Sequence, residues 1–325
     1  MKKVIELIGQ FFRLLKSRAL PFAVAFILFV LVLFPFDDMG EFVATKVSQL
    51  TQGQVSLNFD HMGLRLFPSP GLELAGVILD TPFVQGLAVD EVGVAPDVLG
   101  FLTFRPGVSV AANGILGGDA SFTFGPGPKT EKGNTSQKIS LQTDGLRLAE
   151  LNKAGALPLA AEGSISLDTS IQVDPTFVEQ PQGKVELEVG RLTLPNAVLQ
   201  TPAGPTPFPG LALRRLLLRG QLKGGKFLIE EGLVGEEGDD ISGKLTGSLD
   251  LRFLGNGGNI TYQMGSYTLD LNLKMKKSFE QKIDFYLALT PLKKCKKEGG
   301  GADSLYSCRV SAPNWMTPTP NIQNL

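Results

Sequence analysis

The most constraining feature of this chain is a strict two-residue rhythm. In "GSISLDTSIQVDP" (163–175), Ile165, Leu167, Thr169, Ile171 and Val173 alternate with Ser164, Ser166, Asp168, Ser170 and Gln172. Successive side chains of a strand point to opposite faces, so this rhythm means a strand with one apolar and one wet face. "KVELEV" repeats it with Val185, Leu187 and Val189. "KLTGSLDLRF" gives Leu245, Leu249, Leu251 and Phe253, and "YTLDLNLKMK" gives Tyr267, Leu269, Leu271, Leu273 and Met275. "KIDFYLAL" reads as a further strand with Ile283, Phe285, Leu287 and Leu289. Shorter runs occur in "DASFTF" and "KISLQT". One-sided alternation of this kind belongs to antiparallel sheet.

Turn chemistry separates the runs: "NGILGG" at 113–118, "GGK" at 224–226, "GNGGN" at 255–259 and "EGGGA" at 298–302. "GPGPKTEKGNTSQ" (125–137) and "TPAGPTPFPG" (201–210) read as loops. A short helix fits around Ala149–Asn152 within 145–155. Few amphipathic helices are available to cover the sheet. Its apolar side must be hidden by curling, by folding into a sandwich, or by a ligand.

The N-terminus has a different character. "ALPFAVAFILFVLVLFPF" (19–36) has no charge. As a helix it rises roughly 27 Å, close to the ~30 Å of a bilayer core. Phe34-Pro35-Phe36-Asp37-Asp38 offers no small-residue cleavage site, so the segment reads as an uncleaved signal anchor. Its membrane residues would be Leu20, Phe22, Val24, Phe26, Ile27, Leu28, Phe29, Val30, Leu31, Val32, Leu33 and Phe34. Lys2, Lys3, Arg13, Lys16 and Arg18 precede it, and Asp37, Asp38 and Glu41 follow. That asymmetry places residues 1–18 in the cytoplasm and the rest across the membrane. Residues 37–53 then read as an amphipathic helix, with Asp38 and Glu41 as a capping box, Met39, Val43, Val47 and Leu50 on one face, and Gly53 as the stop. A β domain occupies 54–315, and the proline-rich 316–325 reads as an extended or disordered tail.

Catalytic patterns are thin. His61 is the sole histidine among 325 residues, which leaves no partner for a histidine-based triad or metal site. "GDDISGKL" (238–245) matches a phosphate loop in form, but Leu245 follows the lysine and a strand follows the turn. "EEGLVGEEGDD" (230–240) is read as a solvated acidic turn. The late lysines, from Lys274 to Lys297, are read as the wet face and turns of a hairpin. The net charge of −1 and the separation of aromatics from lysines argue against nucleic acid. No cofactor is implied, and the chain reads as a non-enzyme. In an oxidising compartment, Cys295 and Cys308 are expected to pair.

Four stretches carry a family resemblance. "VSLNFDHMGLRLFPSPGLELAGVILDTP" (55–82) resembles the opening of AsmA-like envelope proteins, with Pro68, Pro70, Leu72, Leu74, Val77 and Leu79 at the patterned positions. "DGLRLAELNKAGALPLAAEGSISLDTSIQVD" (144–174) and "DDISGKLTGSLDLRF" (239–253) resemble that superfamily's repeated hairpins. With the anchor, the chain size and a final "YSCRVSAPNWMTP", the whole is most similar to the type II secretion system protein N family of Gram-negative bacteria. The resemblance implies an elongated, curled antiparallel sheet, an AsmA-like half-pipe, in the periplasm. It implies an inner-membrane accessory or scaffold that binds other secretion subunits. The alternative is a phospholipid carrier with a groove lined by Leu167, Ile171, Leu187, Leu249, Leu251, Leu271, Leu273, Phe285 and Leu287.

Overall fold

The computed structural model describes Pro21, Phe22, Ala25, Phe26, Phe29 and most of residues 39–325. Outside the description, within that range, lie 66–69, 83, 98–99, 101–103, 130–132, 154–159, 202–203, 257–258, 290, 298–300, 302, 315 and 317–319. Among the described residues, one 16-stranded antiparallel sheet dominates a mainly β protein. The sheet is open, with two edges.

The first edge is a broken strand, β1 (Ser56–Asn58) and β2 (His61–Arg65), both paired with β3 (Gly71–Asp80). Next come β4 (Leu87–Pro96), β5 (Val108–Ile115), β6 (Gly118–Lys129), β7 (Thr135–Arg147), β8 (Glu162–Val173) and β9 (Gln182–Leu194). A small hairpin, β10 (Ala197–Thr201) and β11 (Gly204–Phe208), leaves the sheet before β12 (Leu211–Lys223) resumes it beside β9. β13 (Lys226–Val234), β14 (Ile241–Asn256), β15 (Asn259–Lys276) and β17 (Asp303–Ala312) complete the path. β16 (Lys296–Lys297) and β18 (Asn321–Asn324) both pair with β17 at the far edge.

Nearest-neighbour pairing follows from the turns. Leu116 and Gly117 (φ 51° and 72°) and Gly224 and Gly225 (φ 60° and 76°) are left-handed, as two-residue hairpins matched to strand twist require. The stretches 125–137 and 201–210, expected as loops, form hairpins instead: β6 and β7 run on toward the first turn, and β10–β11 is built from the second.

Among the described residues, four α-helices with printed bounds lie along the sheet. α1 (Gly40–Leu50) is the expected amphipathic helix, followed by Gly53 at φ 77°. Asp38, the expected cap, lies outside the described residues, and Met39 at the cap position makes no side-chain hydrogen bond. α2 (Leu148–Lys153) is the short helix expected there. α3 (Lys277–Lys282) and α4 (Asp284–Leu289) replace the strand expected over "KIDFYLAL". Phe279, Ile283 and Leu287, four residues apart, compete with the two-residue rhythm. Phe279 and Leu287 are buried against Met275 and Tyr306, and a helix lets both reach that site. Within the tail expected as extended or disordered, Asn321–Asn324 is an extended strand, because it finds open backbone groups on β17.

Of the anchor residues, Phe22, Phe26 and Phe29 are helical and strongly exposed. Leu20, Val24, Ile27, Leu28, Val30, Leu31, Val32, Leu33 and Phe34 lie outside the described residues. No helix among the described residues is long and apolar enough to cross a membrane.

Candidate functional site: an uncovered apolar sheet face

The register brings the apolar positions of twelve strands into rows. One row runs Leu74, Val92, Ala112, Ala120, Thr143, Leu167, Leu187, Leu218, Gly232, Leu245, Leu271 and Cys308, each opposite the next. A second row beside it includes Val94, Val110, Phe122, Leu141, Thr169, Val185, Ile229, Leu269 and Val310. A third holds Phe124, Ile139, Ile171, Phe227, Leu249 and Tyr267. At ~4.8 Å per strand, a twelve-strand row is about 50 Å long.

Among the described residues, the two buried clusters on this face lie near its ends, and Leu222, in the third row between them, is buried as well. Near the first edge, Leu57, Met62, Leu74, Val77 and Val89 are buried, with Met39, Val43 and Val47 of α1 packed on them. Near the last, Met275, Phe279, Leu287 and Tyr306 are buried. Val92 and Ala112 pack on the first cluster, and from Ala120 to Leu271 the side chains of the first row are half-buried, with Gly232 buried among them. At the first edge, a cavity of about 460 Å³ is lined by Leu64, Pro70, Gly71, Leu72, Val94, Pro96 and Val108, with no charged side chain.

Seven of the nine expected lining residues fall on this face: Leu167, Ile171, Leu187, Leu249, Leu251, Leu271 and Leu273. Two do not line it as strand residues. Leu287 is buried inside the α4 cap, and Phe285 is exposed on that helix. Val110, Phe122, Phe124, Ile139 and Leu141 belong to the face as well. Their signal was present in "DASFTF" and "KISLQT", but such short runs do not reveal which neighbours they join.

The opposite face is mainly polar, with Leu213 and Leu217 buried on it. Arg219 bridges Glu186 (2.8 Å) and Glu231 (2.9 Å), and Arg215 meets Glu188 at 2.8 Å. Hydrogen bonds from Arg219 hold the Glu186 carboxyl below its ordinary range. Arg309 grips Asp270 through two bonds of 2.7 and 2.8 Å. A depression of about 510 Å³ lies here, lined by Asn113, Asp119, Gln142, Asp144, Asp168, Glu186 and Glu188 among others. It is larger than the apolar cavity, but among the described residues no cluster of His, Cys, Asp or Glu is arranged to hold a metal ion.

The acidic turn 230–240 is more ordered than a solvated run. The Asp239 side chain is 6% exposed and accepts bonds from the Arg214 and Glu236 amides at 2.8 and 2.9 Å. Burial pushes its carboxyl up, and those amides with Arg214 hold it down overall.

The C-terminal cap is fastened covalently and by charge. Cys295 and Cys308 form the expected disulfide and are both buried. The Glu280 carboxylate accepts from Lys296 (2.6 Å), Ser304 and Tyr306. Burial raises its pKa, but these donors and the Lys296 charge outweigh it and hold it at about 2. Burial, then the Glu280 bond, pushes the Tyr306 hydroxyl up. The late lysines serve this cap: Lys274 pairs with Asp303, Lys276 with Asp240, and Lys293 with Asp284.

No family model matches the chain, and no curated protein or solved structure matches it.

Proposed function

We propose that this is a non-enzymatic, AsmA-like envelope protein that shelters phospholipid acyl chains on the apolar face of its sheet. One observation carries the reading: three mainly apolar rows run across the sheet, buried near the ends and for the most part only partly buried between. Soluble proteins rarely leave so large an apolar surface to water without an occupant. An acyl chain laid along the rows gains about 0.8 kcal/mol per buried CH₂ and needs no hydrogen-bonding partner there. A headgroup would remain at the rim, in solvent.

The apolar 19–36 segment would tether the chain to the inner membrane, with the sheet in the periplasm. The Cys295–Cys308 disulfide supports an oxidising compartment. An accessory role in type II secretion is the second reading, favoured by the two sheet edges, where a partner's strand could add.

The test is mass spectrometry of lipid extracted from the detergent-purified full chain and from Leu167→Asp/Leu187→Asp. Excess phospholipid on the native chain, lost in the variant, is expected. Equal lipid on both sinks the carrier reading. A stable complex with a secretion subunit, formed by both proteins, would then favour the scaffold.

A further inference from the structure

The β4–β5 loop, from Asp97 to Gly107, presents one aromatic side chain almost wholly to solvent. Its base is closed by the Asp97 N–H, which donates to the Gly107 carbonyl at 2.9 Å. Within it, the Asp97 carboxylate accepts from the Gly100 N–H at 2.9 Å, and the Arg105 N–H donates to the Gly100 carbonyl at 2.7 Å. Gly100 is buried, and an added Cβ there would lie 2.3 Å from the Arg105 carbonyl oxygen. Loops closed on themselves in this way are frequently functional. Phe104, next to Arg105, is 93% exposed. Its φ of 57° is a costly conformation for a bulky residue.

The sequence of the loop suits an apolar contact. Residues 98–104, "VLGFLTF", carry no charge, and Asp97 and Arg105 flank them. The loop springs from Pro96 and Val108, which pair with each other and line the apolar cavity of about 460 Å³.

The position of α1 says what lies nearby. Its C-terminal end meets the start of β1: the Thr51 hydroxyl accepts from the Val55 N–H at 3.2 Å, and Ser56 pairs with Asp80 at the far end of β3. Its N-terminal end lies farther along the edge, where Gly40 sits against the Phe59 ring between β1 and β2. From there β2 continues to Arg65, opposite Gly71. The N-terminus of α1 is thus directed toward the end of the sheet where Pro96 meets Val108 and the β4–β5 loop emerges. Only Asp37 and Asp38 separate Met39 from the apolar 19–36 segment.

We infer that the β4–β5 loop dips Phe104 into the bilayer that holds residues 19–36, as a second membrane contact. The inference rests on the reading of 19–36 as a membrane segment. A single aromatic side chain binds a bilayer weakly from solution. Tethering makes the encounter intramolecular, so one buried ring is enough to hold the sheet in a fixed orientation. The Phe104 ring enters the interfacial layer, and Asp97 and Arg105 stay in water. The contact sets the cavity beside Pro96 and Val108 close to the lipid, but it does not need the acyl-chain rows to be filled.

The test uses the full chain in phosphatidylcholine nanodiscs whose acyl chains carry bromine, a short-range quencher of indole. Trp315 is the sole tryptophan, so a Trp315→Phe background takes one reporter at a time. The reporters are Phe104→Trp, Phe29→Trp in the tether, and Val198→Trp on the hairpin that leaves the sheet at the opposite strand ends, between Leu194 and Leu211. Strong quenching with blue-shifted emission is expected for Phe104→Trp and Phe29→Trp, and neither for Val198→Trp. Adding Leu167→Asp/Leu187→Asp should leave the Phe104→Trp signal unchanged, which separates this contact from lipid carriage. Quenching of Phe29→Trp without quenching of Phe104→Trp overturns the inference and leaves the tether standing. Quenching of neither removes the membrane reading of 19–36 and the inference with it. Equal quenching of Phe104→Trp and Val198→Trp also overturns it, since no fixed orientation would then exist. So does a blue shift of Phe104→Trp without quenching, which would place the ring against protein.

Discussion

The ends of the sheet and its middle are made of the same residues in the same rhythm, yet they differ in burial. At the first edge, Val77 is 0% and Val89 2% exposed beneath a layer that includes α1. At the last, Met275 and Tyr306 are 4% and 3% exposed beside α3 and α4. In between, Leu167, Leu187 and Leu245 have equally apolar cross-strand partners, but they remain half-buried. Lateral contact within one sheet shields only part of a side chain. Full burial needs a second layer. The ends have one and can serve as the stability core. Among the described residues, no comparable buried cluster lies on this face in the middle.

Substitution is the most direct way to break this contrast. Leu74→Ala and Phe279→Ala should each cost about 3–4 kcal/mol, the usual penalty of emptying a covered core site. Denaturant unfolding reads this, and a loss below about 1 kcal/mol would mean that the end clusters are not cores. Removing the disulfide comes next. Cys295→Ser/Cys308→Ser should cost about 2–3 kcal/mol for a loop this short, with amide exchange rising first in α3 and α4.

The Glu280 knot sharpens the comparison through pH. Its folded pKa of about 2 lies below the ordinary 4.5, so its stabilisation is complete above 4.5 and is lost as pH falls toward 2. Acid should therefore loosen the C-terminal cap before the α1 end, and Glu280→Gln should remove that difference, at a cost of about 2 kcal/mol near neutrality. Exchange rates for the two ends at pH 3 and 7 check this. If the α1 end opens first, the account of the knot fails.

Smaller effects belong to the middle and the wet face. Leu187→Ala should cost about 2 kcal/mol, less than Leu74→Ala, since Leu187 is only partly buried. A loss equal to that of Leu74→Ala would show the middle to be covered, and the contrast would vanish. Arg219→Ala should change stability by less than about 1 kcal/mol, because its pairs with Glu186 and Glu231 are well exposed and screened by salt.

Much of this was legible in the residues. The alternation of 163–173 and 267–276 placed Leu167, Ile171, Leu271 and Leu273 on one face, since a period of two leaves each side chain only two choices. The hairpin glycines and the cysteine pair were equally plain. "KIDFYLAL" misled because Ile283, Phe285 and Leu287 satisfy a strand while Phe279, Ile283 and Leu287 satisfy a helix. The buried site beside Met275 and Tyr306 chose between them. The Asn321–Asn324 strand has too little pattern to be seen without the edge it joins.

By itself, then, the sequence determined local matters: where strands run, which side of each is apolar, and where the chain reverses. These depend on neighbours a few positions away and on backbone sterics. The tertiary structure decided which strands lie side by side, that the apolar rows align from Leu74 to Cys308, and that α1, α3 and α4 lie at the two ends of the sheet. It also decided that β14 and β15 run past their neighbours. Those outcomes depend on contacts between residues far apart in the chain, and no local pattern encodes whether a given apolar face will meet a second layer.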